Sequence, residues 1–189
     1  MFAYQLYIYI TILSIPYYKM NIREVLSQGH SKELRDDIIA YVGDNPDRMA
    51  ELMDCFFDKN LRINQRSSWP LNFIARKSPK LMEPYHQMMM DNLEHPLHDA
   101  VIRNTVRIYE DILIPESIEG QLFEKCYEYV ADPKRPIAIR AFSLTILEKL
   151  VTKFPDLKHE VIDLISEHLP HGSVGFKNRA KKVLLRLRK

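Results

Sequence analysis

The sequence predicts an all-α protein, an α–α superhelix of stacked helix pairs. Three observations lead there. Prolines recur at short intervals (Pro46, Pro79, Pro96, Pro115, Pro133, Pro155 and Pro170), with helix-spaced apolar residues between them. Proline is tolerated in the first turn of a helix and disfavoured inside one, so these residues mark boundaries. Strand signals are weak, with no sustained alternation and no Asn-Gly or Asp-Gly pair. Glycine numbers only five, too few for the clustered phosphate loops of Rossmann or P-loop folds.

Taken in order, the intervals predict about nine helices, near 31–42, 46–58, 60–77, 80–93, 97–113, 117–131, 136–153, 157–168 and 174–188. Very short turns join them into one solenoid domain over 20–189. Pro70, inside the third, predicts a kink or a break after Trp69. Before the sixth, Pro115-Glu116-Ser117-Ile118-Glu119 offers Ser117 as N-cap, with acids where the helix dipole favours them. In the seventh, Ile137, Ala141, Leu144, Ile146, Leu147, Leu150 and Val151 form an apolar stripe. That stripe places Ala141 on an inner face. In the last helix, Phe176, Ala180, Val183, Leu184 and Leu187 share one side, and cations take the rest of the circumference. A terminal repeat needs this arrangement: one face docked, the other in water.

Charge is uneven along the chain. Residues 175–189 hold seven Lys or Arg and no acid, so twenty basic and twenty-five acidic residues remain elsewhere, a net −5. A basic end on a mildly acidic body is not a uniformly basic nucleic-acid binder. Met1 to Tyr18 is rich in Phe, Tyr and Ile and carries no charge. It lacks the basic start and cleavage site of a secretory signal, and Pro16 cuts it short for a membrane span. The reading is that Met20 is the natural start and 1–19 a non-native or disordered extension. Cys55 and Cys126 lie far apart in sequence, without a Cys-x-x-Cys, and read as reduced, buried thiols of a cytoplasmic protein, in layers too distant for a disulfide.

An arginine recurs in Gln65-Arg66-Ser67, Ile102-Arg103-Asn104, Ile139-Arg140-Ala141 and Asn178-Arg179-Ala180, at spacings of 37, 37 and 39. Each precedes an apolar stretch. The period lies close to that of paired-helix repeats, below the usual HEAT range and near the tetratricopeptide one, whose Trp, Gly, Tyr and Ala signature is absent. With Phe176-Lys177-Asn178-Arg179-Ala180-Lys181-Lys182-Val183-Leu184 as the best match, residues 31 to 189 resemble HEAT or armadillo-like repeats. The resemblance implies stacked layers, an interaction role and no cofactor. If the layers stack in register, Arg66, Arg103, Arg140 and Arg179 form a row, with Arg107 one turn beyond Arg103. Such a row either staples neighbouring layers or faces phosphates or an acidic strip. Asp99 stands four residues before Arg103, placed to pair with it.

Candidate binding residues are therefore Arg66, Trp69, His98, Asp99, Arg103, Arg107, Arg140, Lys177 and Arg179. The pairs His95/His98 and His168/His171 have metal-like spacing, but prolines place them at helix junctions, where capping is the ordinary role. No metal is predicted, and no nucleophile elbow is present. The expected function is a non-enzymatic scaffold holding a protein partner. Nucleic acid is the alternative, as in HEAT-like alkylpurine DNA glycosylases, for which only Trp69 and Asp99 are loose counterparts. The stretches Leu97–Arg107 and Gly172–Lys177 also resemble a family of small bacterial, Bacteroidetes-type proteins, some labelled adenylosuccinate lyase. The lyase signature loop is missing, and the chain is too short for that superfamily's long bundle.

Overall fold

The structure, a computed structural model, describes residues 20–189. The expected extension at 1–19 lies outside the described residues. Five successive helix pairs make up the rest: α1 (Ile22–Gln28) with α2 (Lys32–Val42), α3 (Pro46–Phe56) with α4 (Leu61–Lys77), α5 (His86–Glu94) with α6 (Asp99–Asp111), α7 (Glu119–Ala131) with α8 (Ile137–Lys153), and α9 (Lys158–His168) with α10 (Val174–Leu187). All nine expected helices are present. The tenth, α1, is a short helix capped by Asn21, whose side chain accepts the Glu24 N–H at 3.1 Å. It buries Ile22 and Leu26. The second helices pack in series, α2 on α4, α4 on α6, α6 on α8 and α8 on α10. Among the first helices, α5, α7 and α9 do the same. One apolar core runs between the two layers. No described helix is long and apolar enough to cross a membrane.

Three local expectations are corrected. Ser117 is not an N-cap: Glu116–Ile118 forms a 3-10 turn and Ile118 holds the cap position of α7. The Ile118 N–H bonds the Pro115 carbonyl at 3.1 Å, which draws Ile118 into the core. The helix expected at 80–93 begins as a 3-10 turn over Pro79–Tyr85 and becomes α-helical only from His86. Pro84 lacks the N–H that an α-helical ladder needs there. Of the kink or break expected at Pro70, the break does not occur, since α4 runs through it.

The reason for that last result is the register of the stack. Ile63, Val101, Ile139 and Phe176 are buried, as are Ser67, Thr105, Ser143 and Ala180, and Leu71, Tyr109, Leu147 and Leu184. The spacings are 38, 38 and 37 in each column. Pro70 stands in the column of Ile108, Ile146 and Val183, all buried. Its ring fills a core place, and packing on both sides outweighs one missing hydrogen bond. The column of Ser67, Thr105, Ser143 and Ala180 is small throughout, and small side chains let adjacent second helices approach closely.

The predicted faces are met unequally. The five apolar residues assigned to the docked side of α10 are its five buried ones. In α8, Ile137 is 52% exposed and Ala141 only half-buried, so the inner stripe begins at Ile139 rather than Ile137. Helix α6 stops one turn earlier than α4 and α8, since Ile112–Pro115 stand where α4 has Ile74–Lys77. Pro115 disfavours the helical conformation of the residue before it. The missing turn opens a cavity of about 450 Å³ between Ile112, Leu113, Ile114, Lys149 and Leu150.

Candidate functional site

The second-helix face is built by α4, α6, α8 and α10, and the register decides which side chains reach it. The arginine spacings of 37, 37 and 39 slip against the structural 38, 38 and 37. Each one-residue slip turns a side chain by about 100° around its helix. Arg66, Arg103 and Arg140 are thus not equivalent, and the expected row of four does not exist. Arg66 is half-buried, and its Nη1 donates to the carbonyls of Leu26 and Ser27 at 2.6 and 3.0 Å. Arg103 is exposed and, among the described residues, donates only to Asn104 Oδ1, at 3.3 Å. Arg140 is 5% exposed, gives Nε and Nη2 to the Val130 carbonyl at 3.2 and 2.8 Å, and lies over the Phe176 ring at 4.1 Å. Burial pulls its guanidinium below its ordinary pKa.

Two of the four therefore neutralise the carbonyl end of an earlier helix, where the macrodipole is negative. Lys149 does the same and was not legible as a motif residue. Its Nζ meets the carbonyls of Tyr109, Glu110 and Ile112 at 3.2, 2.6 and 3.1 Å, closing the end of α6. Burial lowers its pKa against the opposing pull of Asp111 and Glu110.

A polar network crosses the middle of the face. Asn72 of α4 donates to Asp111 Oδ2 of α6 at 3.3 Å. Arg107 pairs with Glu110 and, at 3.4 Å, with Asp111. Glu110 accepts from Thr145 of α8 at 3.3 Å and from Arg179 of α10, which also reaches the Thr145 hydroxyl at 2.5 Å. Further along, Arg186 of α10 holds Glu148 of α8. These acids were missed in the sequence because each is unremarkable until the helices are paired.

Beside the network lies a patch of rings roofed by guanidinium groups. The Arg35 guanidinium sits over Trp69 at 4.6 Å and Phe73 at 4.5 Å. Arg76 lies over Phe73 at 4.8 Å, and Arg107 over Phe142 of α8 at 5.1 Å. The His30 ring is 4.8 Å from that of Trp69. Phe73 remains 36% exposed. Of these only Trp69 and Arg107 stood out in the sequence.

The layers also segregate charge. The first helices α3, α5, α7 and α9 contain eleven Asp or Glu and three Lys or Arg, a net −8. The second helices α4, α6, α8 and α10 contain fourteen Lys or Arg and four acids, a net +10. The basic tail is the last member of a basic layer rather than a separate feature.

The remaining candidates have local roles. His98 is the N-cap of α6, its Nδ1 accepting the Ala100 N–H at 3.1 Å. Asp99 pairs with Arg135 at 3.1 Å and not with Arg103. Lys177 is half-buried on the first turns of α10. No group of three His, Cys, Asp or Glu able to hold a metal ion occurs among the described residues. Both cysteines are buried free thiols, pushed by burial up to about 11 for Cys55 and about 12 for Cys126. A thiol so shifted is a poor nucleophile.

No curated protein and no solved structure matches the chain. A family model described as a HEAT repeat domain matches residues 22–186, nearly the whole described solenoid. With helix pairs stacked in series over the same span, the chain belongs to the HEAT repeat domain family.

Proposed function

We propose that the protein is a non-enzymatic interaction module that binds a protein partner on its second-helix face. HEAT repeats commonly mediate protein interaction. The observation that carries the reading is the patch of Trp69, Phe73, Arg35 and Arg76. Tryptophan and arginine dominate interface hot spots, and a ring pre-stacked under a guanidinium loses little freedom on binding. Arg103 stands exposed on the same helix layer. The test is recovery of a partner by the full chain against its Arg103→Glu variant. Loss of a specific partner with the variant is the expected outcome, and equal recovery contradicts the reading.

A nucleic-acid reading draws on the net +10 of the second helices. It predicts binding to random duplex DNA that falls steeply with salt. Absence of affinity at low salt removes it. The non-enzymatic assignment predicts no fumarate release from adenylosuccinate; turnover that disappears in His98→Ala contradicts it.

A further inference from the structure

We infer that the α4 end of this face receives an acidic, aromatic-containing stretch of a partner polypeptide. The inference rests on reading the second-helix face as the interaction surface.

Its basis is which cations are already committed. Arg66, Arg140 and Lys149 are held by backbone carbonyls. Arg107, Lys153, Arg179 and Arg186 are held by carboxylates. On α4, Arg62 and Lys77 have no carboxylate partner among the described residues, and Arg76 reaches Asp111 only at 4.0 Å. Helix α4 contains no acid at all. The uncommitted charge therefore collects at α4 and again on α10, around Lys177, Lys181 and Lys182. Between them Glu110, Asp111 and Glu148 pair with the arginines of the face, and Arg103 is exposed there without a carboxylate partner among the described residues.

That layout fits a peptide better than a duplex. Duplex DNA presents a charge about every 1.7 Å along its axis and rewards an unbroken run of cations. Here the central cations Arg107, Arg179 and Arg186 are already paired with Glu110, Asp111 and Glu148, which breaks such a run. The α4 end instead offers flat cations on rings. Arg35 is fixed there by Asp36, which accepts from its Nε and Nη2 at 2.9 and 2.6 Å. Arg76 over Phe73 keeps its N–H edge for a carboxylate, in the planar pairing that guanidinium favours. The exposed edge of Phe73 is complementary to an aromatic side chain between such carboxylates.

Trp69 is the only tryptophan of the chain and lies inside the patch, so its emission reports occupancy. The full chain is titrated with a random glutamate–tyrosine copolymer, with polyglutamate and with random-sequence duplex DNA, exciting tryptophan alone. The copolymer is expected to shift the Trp69 emission saturably, more tightly than polyglutamate, and less so at high salt. Arg76→Glu combined with Phe73→Ala should raise the midpoint about tenfold or more. Both positions are exposed, and circular dichroism confirms the variant's fold. Met88→Ala on α5 should change nothing. No response to the copolymer, or a response to duplex DNA at lower concentration, overturns the inference. A chain that captures a partner in an Arg103-dependent way yet ignores the copolymer overturns only the acidic-peptide assignment. A chain that does neither overturns both readings.

Discussion

Arg179 of α10 reaches past α8 to Glu110 of α6, with the Thr145 hydroxyl of α8 bridging the pair. One carboxylate thereby ties three successive layers of the solenoid. In a repeat array each layer normally contacts only its neighbours, so stability is close to a sum of adjacent interfaces. This link adds coupling between layers that do not otherwise touch through it.

The carboxylate of Glu110 is buried while Arg179 keeps about a third of its surface in water. Glu110→Gln should cost about 2 kcal/mol, less than the loss expected when a fully buried pair is broken. A double-mutant cycle with Arg179→Met should give non-additive changes in urea midpoint. Additive changes would show that the two act independently.

Arg140 serves packing rather than binding. It caps the end of α7 and covers Phe176 from inside the stack. Arg140→Ala should destabilise by roughly 2–3 kcal/mol, the range for a charged hydrogen bond lost in a buried site. Arg140→Lys should recover little, since an ammonium cannot give the paired Nε and Nη2 contacts. Thermal or urea melts decide the point.

The register makes a sharper contrast within α8. Ser143 is fully buried and Ala141 is not. Ser143→Asp should cost about 4 kcal/mol or more by burying an unpaired charge. Ala141→Asp, at a half-buried position where the carboxylate can reach water, should cost only about 1 kcal/mol. Similar losses at both sites would refute the 38-residue register.

Prolines fix helix bounds by removing a donor, a local effect, so the intervals between them are readable. The docked side of α10 is equally readable, because Phe176, Ala180, Val183, Leu184 and Leu187 follow the helical period, while Val174 and Leu185 fall outside it and are exposed. The arginine ladder is less secure. Spacings of 37 and 38 look alike in a sequence, yet three-dimensionally they separate an exposed Arg103 from a buried Arg140. Charge segregation is hidden for another reason: acids and bases alternate with the helices, so a sum along the chain cancels them. Lys149, Glu110 and Asp111 acquire their roles only when layers meet.

Burial also gives a pH response. His86 is buried, with Nδ1 3.0 Å from the Tyr109 hydroxyl, which itself lies 3.7 Å from Met89 Sδ. Burial lowers the His86 pKa, opposed by the nearby Glu83. The unfolded chain, with histidine near pKa 6.5, then binds more protons than the folded one, so stability rises with pH. The His86 contribution is fully present above about pH 6.5 and is lost as pH falls through the lower folded value. Urea midpoints of the wild type should therefore fall more between pH 7.5 and 5 than those of His86→Gln. A parallel fall in both would exclude His86 as the source.

The most direct test of partner binding on the second helices is photo-crosslinking in the cell, with a reactive residue replacing Phe73 on α4 or Met88 on α5. Both side chains are exposed, on opposite layers. A protein adduct formed from position 73 and not from position 88 is the predicted result. Adducts of equal yield from both positions, or an adduct confined to position 88, would contradict it.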